Sequence, residues 1–334
     1  METEEKNKLY LGYLRQRQII PLPQKINASK SRIEAYYEHC YKKNVDVFVS
    51  FSGGKDSTVL LDLVRSRYPD VPAVFVDTGL EYPEIKNFVK TIDNVTILKP
   101  EINFRQVIKK YGYPAISKDI ARRIHDLQNP KPENKKTRHL FATGELNYFK
   151  NEKRCNAFKL PNKWKALFQV VYDDKIGWYA KNTDIKISDI CCNIMKKAPI
   201  KKYIRETGRQ QIVGTMADDS QQRKISYLKT GCNTFKGAIK SRPISFWVEK
   251  DIWNYIKLKN LPYCSIYDKG VHHTGCVFCM FGVHLEKYPN RFQHMKHTHP
   301  QLHNYCINKL QLNKVLDLLD VPYDDETETI EDYL

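Results

Sequence analysis

The stretch VDVFVSFSGGKDSTVL, residues 45–60, constrains this chain more than any other. An apolar run of strand composition stops at Ser52-Gly53-Gly54, and a helical pattern from Ser57 to Arg67 follows at once. Two adjacent glycines permit unusual dihedrals, so backbone N–H groups can converge on an anion. The helix N-terminus behind them adds the positive end of its dipole. Lys55 reads as a mobile cation, and Asp56 or Ser57 can cap the helix. Two glycines alone would make only a turn. In this order the residues predict a phosphate-binding loop at the carboxyl end of a strand, where open α/β sheets take their ligands.

The G-x-x-x-x-G-K-[ST] spacing is absent, so the loop is not a Walker A loop. Ser52-Gly53-Gly54-Lys55-Asp56-Ser57 instead resembles the pyrophosphate loop (PP-loop) of the N-type ATP pyrophosphatases. Members of that group split ATP between its α and β phosphates or bind an already adenylated compound. The design then repeats. Ala73–Val76 reads as a buried strand ending in Asp77-Thr78-Gly79, with Glu81-Tyr82-Pro83-Glu84 opening a helix. Val95–Leu98 reads as a third strand and Asn103–Tyr111 as a helix. Such alternation predicts a parallel sheet with right-handed crossovers. A carboxylate at a strand end can bond a ribose or a metal-bound phosphate, or simply cap its turn. Together, the two turns look like the phosphoadenosine phosphosulfate reductase family, in which the Asp-Thr-Gly turn faces the nucleotide.

With 334 residues the chain can hold one large α/β domain with additions, or two domains. The fold expected is an open, mostly parallel twisted sheet with helices on both faces, which the resemblance makes adenine nucleotide α-hydrolase-like. The expected parts are an N-terminal helical extension (1–45), a nucleotide-binding core (46–128 and 184–270), a basic insertion (129–183), and a cluster-binding loop with a helical C-terminal region (271–334). Within 1–27, Pro21-Leu22-Pro23 is expected to break any helix. No run of eighteen apolar residues and no apolar leader appear, so a cytoplasmic protein without a membrane span is expected. The formal charge of +17 attracts polyanions, nucleic acid first, although a Lys-, Asn- and Ile-rich composition alone would also produce it. Between Lys118 and Lys165 basic residues outnumber acidic ones by more than two to one, interleaved with Phe141, Tyr148, Phe149, Phe158 and Trp164. That mixture suits a polynucleotide surface, or a solvated insertion anchored by its aromatics.

Cys191-Cys192 is followed some eighty residues later by Cys276-Val277-Phe278-Cys279. Four thiolates within reach of one centre can hold zinc or an iron–sulfur cluster, and tandem ligands fit the larger cluster better. The spacing resembles the [4Fe–4S] pattern of bacterial-type adenylylsulfate reductases, and Lys196 with Pro199-Ile200 matches that family's step after the cysteine pair. Cys40, Cys155, Cys232, Cys264 and Cys306 have no partner spacing and read as packing, although one could carry sulfur. The histidine-rich stretch 284–320 has no metal-site spacing and reads as a basic helical cap.

Gln211–Met216 reads as strand and turn, and Ala217–Arg223 resembles the family's Gly-x-Arg-x-x-x-Ser-x-x-Arg segment, with Arg223 on the last arginine. Segments 241–253 and 261–270 also resemble the family, as a strand, a helix and a loop closing over the nucleotide. Two arginines of the reductase pattern are replaced by Met195 and Met216, and the cysteine of the reductases' Glu-Cys-Gly-Leu-His segment has no counterpart setting; Cys306 is the nearest substitute. Losing cations should weaken a sulfonucleotide site, since charge-assisted contacts are the strong ones. The resemblance therefore implies ATP, Mg2+ and a [4Fe–4S] cluster on Cys191, Cys192, Cys276 and Cys279 (Zn2+ being the alternative). The nucleotide would lie on Ser52, Gly53, Gly54, Lys55, Asp56, Ser57, Asp77, Thr78, Gly79, Lys196 and Arg223, with Lys55, Asp56, Asp77 and Arg223 acting in catalysis. The expected activity is adenylation of a substrate, tRNA or DNA, for sulfur transfer, with a donor such as a cysteine desulfurase. Sulfonucleotide reduction, with an adenylylated sulfonucleotide as ligand, and a non-catalytic nucleotide- or cluster-binding module are the alternatives.

Overall fold

The computed structural model describes residues 2–145, 156–237 and 239–325. They form two compact units: one drawn from the segments up to Pro100 and Lys196–Gly275, the other from Glu101–Met195 and from Cys276 onward. In chain order the strands among the described residues are β1 (Val47–Ser50), β2 (Ala73–Val76), β3 (Val95–Leu98), β4 (Ala115–Ile116), β5 (Val170–Asp173), β6 (Gly177–Ala180), β7 (Gln210–Val213), β8 (Asn233–Thr234), β9 (Lys240–Ser241) and β10 (Met280–Phe281).

The first unit is built on a six-stranded sheet of order β3-β2-β1-β7-β9-β8. Its pairings are parallel except β8 on β9, an antiparallel edge. The chain leaves β1 toward β2 and β3, then returns to β7 on the other side. The carboxyl ends of β1 and β7 thus flank the switch point where such sheets bind ligands. In β1 the residues alternate between faces. Phe48 packs with Val74 of β2 and with Tyr203, joined by Leu98, Ile200 and Ile204. The Phe48 and Tyr203 rings meet edge-on at 5.1 Å, so the helix Ala198–Thr207 covers that face. Full burial of a side chain such as Phe48 stabilises by roughly 2 kcal/mol. Val47 and Val49 point the other way. The helices Leu22–Tyr41, Lys55–Arg65 and Glu249–Lys259 pack on one another, and the first two of them also on β9 and β1 respectively.

Pro21-Leu22-Pro23 breaks the helical run, as the sequence suggests, and also opens the next helix. The helix starts at Leu22, with Pro21 as its N-cap, and another helix, Glu2–Ile19, precedes it. A proline in the first turn loses no intrahelical bond, because that N–H has no acceptor there anyway.

In the second unit, Asn103 and Gln106 form a capping box on the helix Phe104–Tyr111, and Ser117 caps the helix Lys118–Gln128. β5 and β6 form an antiparallel hairpin. The buried guanidinium of Arg138 clasps it, donating to the carbonyls of Ile176, at 2.8 Å, and Trp178. The units divide the chain at 100 and 195 rather than at 128 and 184, because β4 pairs with β10 and the helix Lys118–Gln128 packs on β6. Phe141 and Trp164 are buried, as anchors, whereas Phe158 is exposed; Tyr148, Phe149 and Cys155 lie outside the described residues. Among the described residues no helix is long and apolar enough to cross a membrane.

A buried ion pair ties the N-terminal helices to the first unit. Lys25 Nζ donates to Asp251 Oδ2 at 2.5 Å and to the Gln18 carbonyl at 2.6 Å, and the same carboxylate oxygen accepts the Val248 amide at 2.8 Å. Removing one partner leaves the other charge buried and alone, at a cost of about 3 kcal/mol or more. Asp251→Ala should therefore lower the unfolding free energy by about 3 kcal/mol in urea titrations. A loss below about 1 kcal/mol would mean that water reaches Lys25.

Candidate functional site

The Ser52–Ser57 loop is held by its own hydroxyls. Ser57 Oγ donates to the Gly54 carbonyl at 2.8 Å and accepts the Ser52 amide at 3.1 Å. Thr58 Oγ1 donates to the same carbonyl at 3.1 Å. Gly53 has φ +71°, the left-handed region. At Gly54 a Cβ would lie 2.4 Å from Thr274 Oγ1 and 3.2 Å from Tyr267 OH. The glycine pair is therefore a steric requirement, set by a segment more than two hundred residues away in sequence.

Lys55 is fixed rather than mobile. It is 3% exposed, with Nζ 3.0 Å from Glu249 Oε1 and donating to the His272 carbonyl at 2.7 Å. The ammonium also lies 4.9 Å from the centre of the Tyr267 ring and 5.7 Å from that of Trp253. The hydrogen bond from Lys55 holds the Glu249 carboxyl below its ordinary range, against its partial burial. The Lys55 amide, a donor at the first turn of the helix Lys55–Arg65, donates to Tyr267 OH at 2.9 Å. That hydroxyl sits where a phosphate oxygen would accept, and it also bonds Thr274 Oγ1 at 3.3 Å.

Beside the loop lies a cavity of 220 Å³ lined by Lys55, Asp56, Met216, Asp218, Asp219, Glu249 and His273. Asp56 Oδ1 is buried with no hydrogen-bond partner. Burial pushes its carboxyl up to about 6; Lys55 opposes this, and Asp219 and Glu249 reinforce it. A buried acceptor without a donor, among further carboxylates, is chemically suited to a divalent cation with oxygen ligands, Mg2+ included. Asp219 accepts the Met216 amide at 2.9 Å and pairs with Arg223, so Arg223 borders the cavity through Asp219. Ser220 caps the helix Gln221–Thr230 by accepting the Arg223 amide.

At the end of β2, Asp77 accepts the Gly79 amide at 2.9 Å and pairs with Lys86 at 2.8 Å. Burial pushes Asp77 up, but Lys86 and the Gly79 amide win and hold it below the usual carboxylate range. Thr78 is buried and bonds Glu81 through its amide and hydroxyl. Lys196 is exposed.

All four candidate metal cysteines fall in the second unit. The backbone brings both pairs to one strand. The Ser188 amide donates to the Tyr113 carbonyl at 2.9 Å, and the Met280 amide to the next carbonyl, Pro114, at 3.2 Å. Tyr113 bridges Ile187 in parallel, and β10 pairs with β4. The approach depends on Gly112, at φ +102°, where a Cβ would meet the Lys186 carbonyl oxygen at 2.4 Å. Two strand spacings put Ser188 and Cys279 about 10 Å apart, with Cys191 three residues further on. Cys191 and Cys192 open a helical segment that continues as a π-helical turn, Asn193–Lys197. Pro199 has no N–H to give the Met195 carbonyl, which favours the shifted ladder. Cys191 is buried; Cys192, Cys276 and Cys279 are half-buried. Among the described residues, the side chains are not gathered into a group of three or more His, Cys, Asp or Glu placed to hold a metal.

Sequence reasoning missed Tyr267, Thr274, Glu249 and Asp219 as parts of this site. Asp219, Glu249 and Tyr267 stood in segments singled out beforehand without being named for a role; Thr274 did not.

A Gly-Gly loop at a strand end beside the switch point of a mostly parallel sheet defines an open-sheet α/β protein. The chain belongs to the phosphoadenosine phosphosulfate reductase domain family, whose profile matches residues 46–138 and 169–281. An uncharacterised protein of Methanocaldococcus jannaschii is 25% identical over 296 residues, covering 85% of this chain and 52% of that protein. The chain thus spans about half the length of that relative. Adenosine 5′-phosphosulfate reductase 2 of Bacillus subtilis is 24% identical, covering 68% of this chain and 70% of the reductase. Among solved structures, phosphoadenylyl-sulfate reductase from Candida auris aligns with TM-score 0.37 and 14% identity, over 69% of this chain and 81% of that one. The U34-tRNA thiolase NcsA from Methanococcus maripaludis, with its [4Fe-4S] cluster, aligns with TM-score 0.35 and 13% identity, over 89% and 80%.

The raised Asp56 carboxyl sets a pH dependence. With the folded value near 6 and the ordinary one at 3.8, the folded state holds this proton more tightly. The stability contributed by neutral Asp56 is complete below about pH 4 and is lost as pH rises through 6. In metal-free buffer, Asp56→Asn should be more stable than wild type at pH 8, by on the order of 2 kcal/mol. The two should converge near pH 4 in urea denaturation; equal stabilities at pH 8 would show that the carboxylate is solvated.

Proposed function

We propose that this chain is a PP-loop enzyme that binds ATP with Mg2+, adenylates a substrate oxygen and releases pyrophosphate, so that sulfur can enter. The single observation carrying this reading is the Ser52–Ser57 loop beside a cavity into which an unpartnered buried carboxylate, Asp56, is set. The loop amides and Ser57 would orient the phosphates. Lys55, desolvated and already aimed at oxygen acceptors, would meet charge developing on the departing pyrophosphate. Arg223 would add a second cation from the helix Gln221–Thr230, and Asp77 would hold the ribose or the metal. The substrate oxygen would attack the α-phosphorus as the bond to pyrophosphate breaks; hydrosulfide would then displace AMP, which carries that oxygen away.

Cys191, Cys192, Cys276 and Cys279 would hold a [4Fe–4S] cluster, which when bound would supply a site for the incoming sulfur. The shared strand beneath both pairs supports this reading. The acceptor would be a nucleic acid, tRNA or DNA, met by the basic insertion, with a cysteine desulfurase as sulfur donor, its persulfide sulfur reduced to hydrosulfide by external thiols that leave as a disulfide, and the cytoplasm as the compartment. The reductase alternative is disfavoured by Cys306: fully buried, its thiol is pushed up to about 12, far from the thiolate a nucleophile needs.

Anaerobically purified protein should contain iron and sulfide, and should release pyrophosphate from ATP faster with tRNA or DNA present. Lys55→Ala should slow that release by about a hundredfold or more, the usual scale for one stabilising donor. Cys276→Ser should lose iron yet keep ATP binding. Sulfite released from a sulfonucleotide, or ATP bound without any pyrophosphate formed, would overturn the reading.

A further inference from the structure

Strand register places a group of cations on one face of the first unit's sheet. Phe48 pairs with Gln211, and Ile212 with Ser241, so Phe48, Gln211 and Lys240 form one row across β1, β7 and β9. Phe48 faces the helix Ala198–Thr207, so Lys240 is on that face too. The ladder continues past β9, the Arg242 amide donating to the Cys232 carbonyl at 2.7 Å. Arg242 thus lies on the same side as Lys240. Its guanidinium donates to Ser226 Oγ and Thr230 Oγ1, both at 2.6 Å. Arg223, Ser226 and Thr230 share one stripe of the helix Gln221–Thr230. Lys197 is the N-cap of Ala198–Thr207.

This arrangement runs against elementary electrostatics. Arg223 sits in the first turn of the helix Gln221–Thr230, where the dipole disfavours a cation, whereas Lys197 lies within the helical run that Cys191 opens. Lys240 is half-buried, and among the described residues neither it nor Lys197 has an ion-pair partner. Burial, then Arg242, Lys197 and Arg223, push the Lys240 ammonium below its ordinary range. Arg242 Nε is buried without a hydrogen-bond partner. Only Arg223 has a carboxylate, Asp219. Like charges drawn together in this way repel, and an anion joining them would relieve that repulsion.

We propose that Lys197, Arg223, Lys240 and Arg242 form a binding site for a compact tetrahedral oxyanion, a phosphate or sulfate group, distinct from the Ser52–Ser57 loop. Two ammonium groups and two guanidinium forks supply charge-assisted donors of the type that phosphate and sulfate select. Two sources supply such an oxyanion: free inorganic ion, or the phosphate chain of a bound nucleotide. The site does not depend on which reaction the enzyme catalyses.

Calorimetric titration of the wild-type chain with inorganic phosphate, and with sulfate, at fixed ionic strength should give saturable binding. It should persist in Lys55→Ala, which disables the loop, and weaken at least tenfold in Lys240→Gln. Lys240→Arg should restore it. A second readout separates binding from misfolding: without phosphate, Lys240→Gln should melt higher than wild type, because a repelling charge is gone, and it should lose the melting-point gain that phosphate gives wild type. Displacement of phosphate by ATP but not by adenosine assigns the anion to the nucleotide, and simultaneous binding assigns it to a free ion; both support the site. Phosphate binding unchanged in Lys240→Gln, or abolished by Lys55→Ala alone, overturns it, as does the absence of any binding to wild type.

Discussion

One buried ammonium organises the nucleotide unit. A charge that is 3% exposed must be compensated where it lies, and Lys55 is compensated from two later segments. Glu249 comes from the helix Glu249–Lys259, and the His272 carbonyl from the stretch that follows Tyr267. Together with the Tyr267 hydroxyl on the Lys55 amide, these contacts fold residues 249–274 over the loop that begins the sheet. The loop therefore already has its anion-like partners: a carboxylate, a carbonyl and a phenol oxygen. Nucleotide phosphates would replace contacts that exist, at a net gain far smaller than for an empty cradle. Their arrival would also release a segment that runs directly into Cys276 in sequence.

What the sequence revealed and what it hid follow the same physical divide. β1, β2 and β3 were legible because each is an apolar run ending in turn residues, and the loop because glycines, a lysine and a helix start stand in unbroken order. The helix read from Asn103 was legible too, and Asn103 forms its capping box. Tyr267 as partner of Lys55 was not legible, since a hydrogen bond across 212 positions leaves no periodic trace. Nor was the pairing of two-residue β4 with β10, which draws residues 101–128 into the second unit. Pro21 was legible as a break, since proline cannot continue a helix interior, but not as the N-cap of the helix that follows. The insertion's aromatics were read as open between stacking and anchoring; Phe141 and Trp164 anchor, whereas Phe158 is exposed.

The switch point divides charge by sign. Asp56, Asp218, Asp219 and Glu249 gather in the cavity beside the loop, whereas Lys197, Arg223, Lys240 and Arg242 gather on the β7–β9 side. Asp219 joins the two, accepting the Met216 amide and pairing with Arg223. A carboxylate group stabilises a divalent cation, and a cation group stabilises an oxyanion, so each half is strained alone and relieved by its own ligand. A metal-bound polyphosphate carries both signs on one molecule. Met216, where the reductase pattern has an arginine, lines the acidic half, so no guanidinium joins Lys55 there to compete with the metal. On this reading the substitution that weakens the case for a sulfonucleotide strengthens the case for a metal–nucleotide complex, because one side chain cannot favour a bare dianion and a divalent cation in the same place.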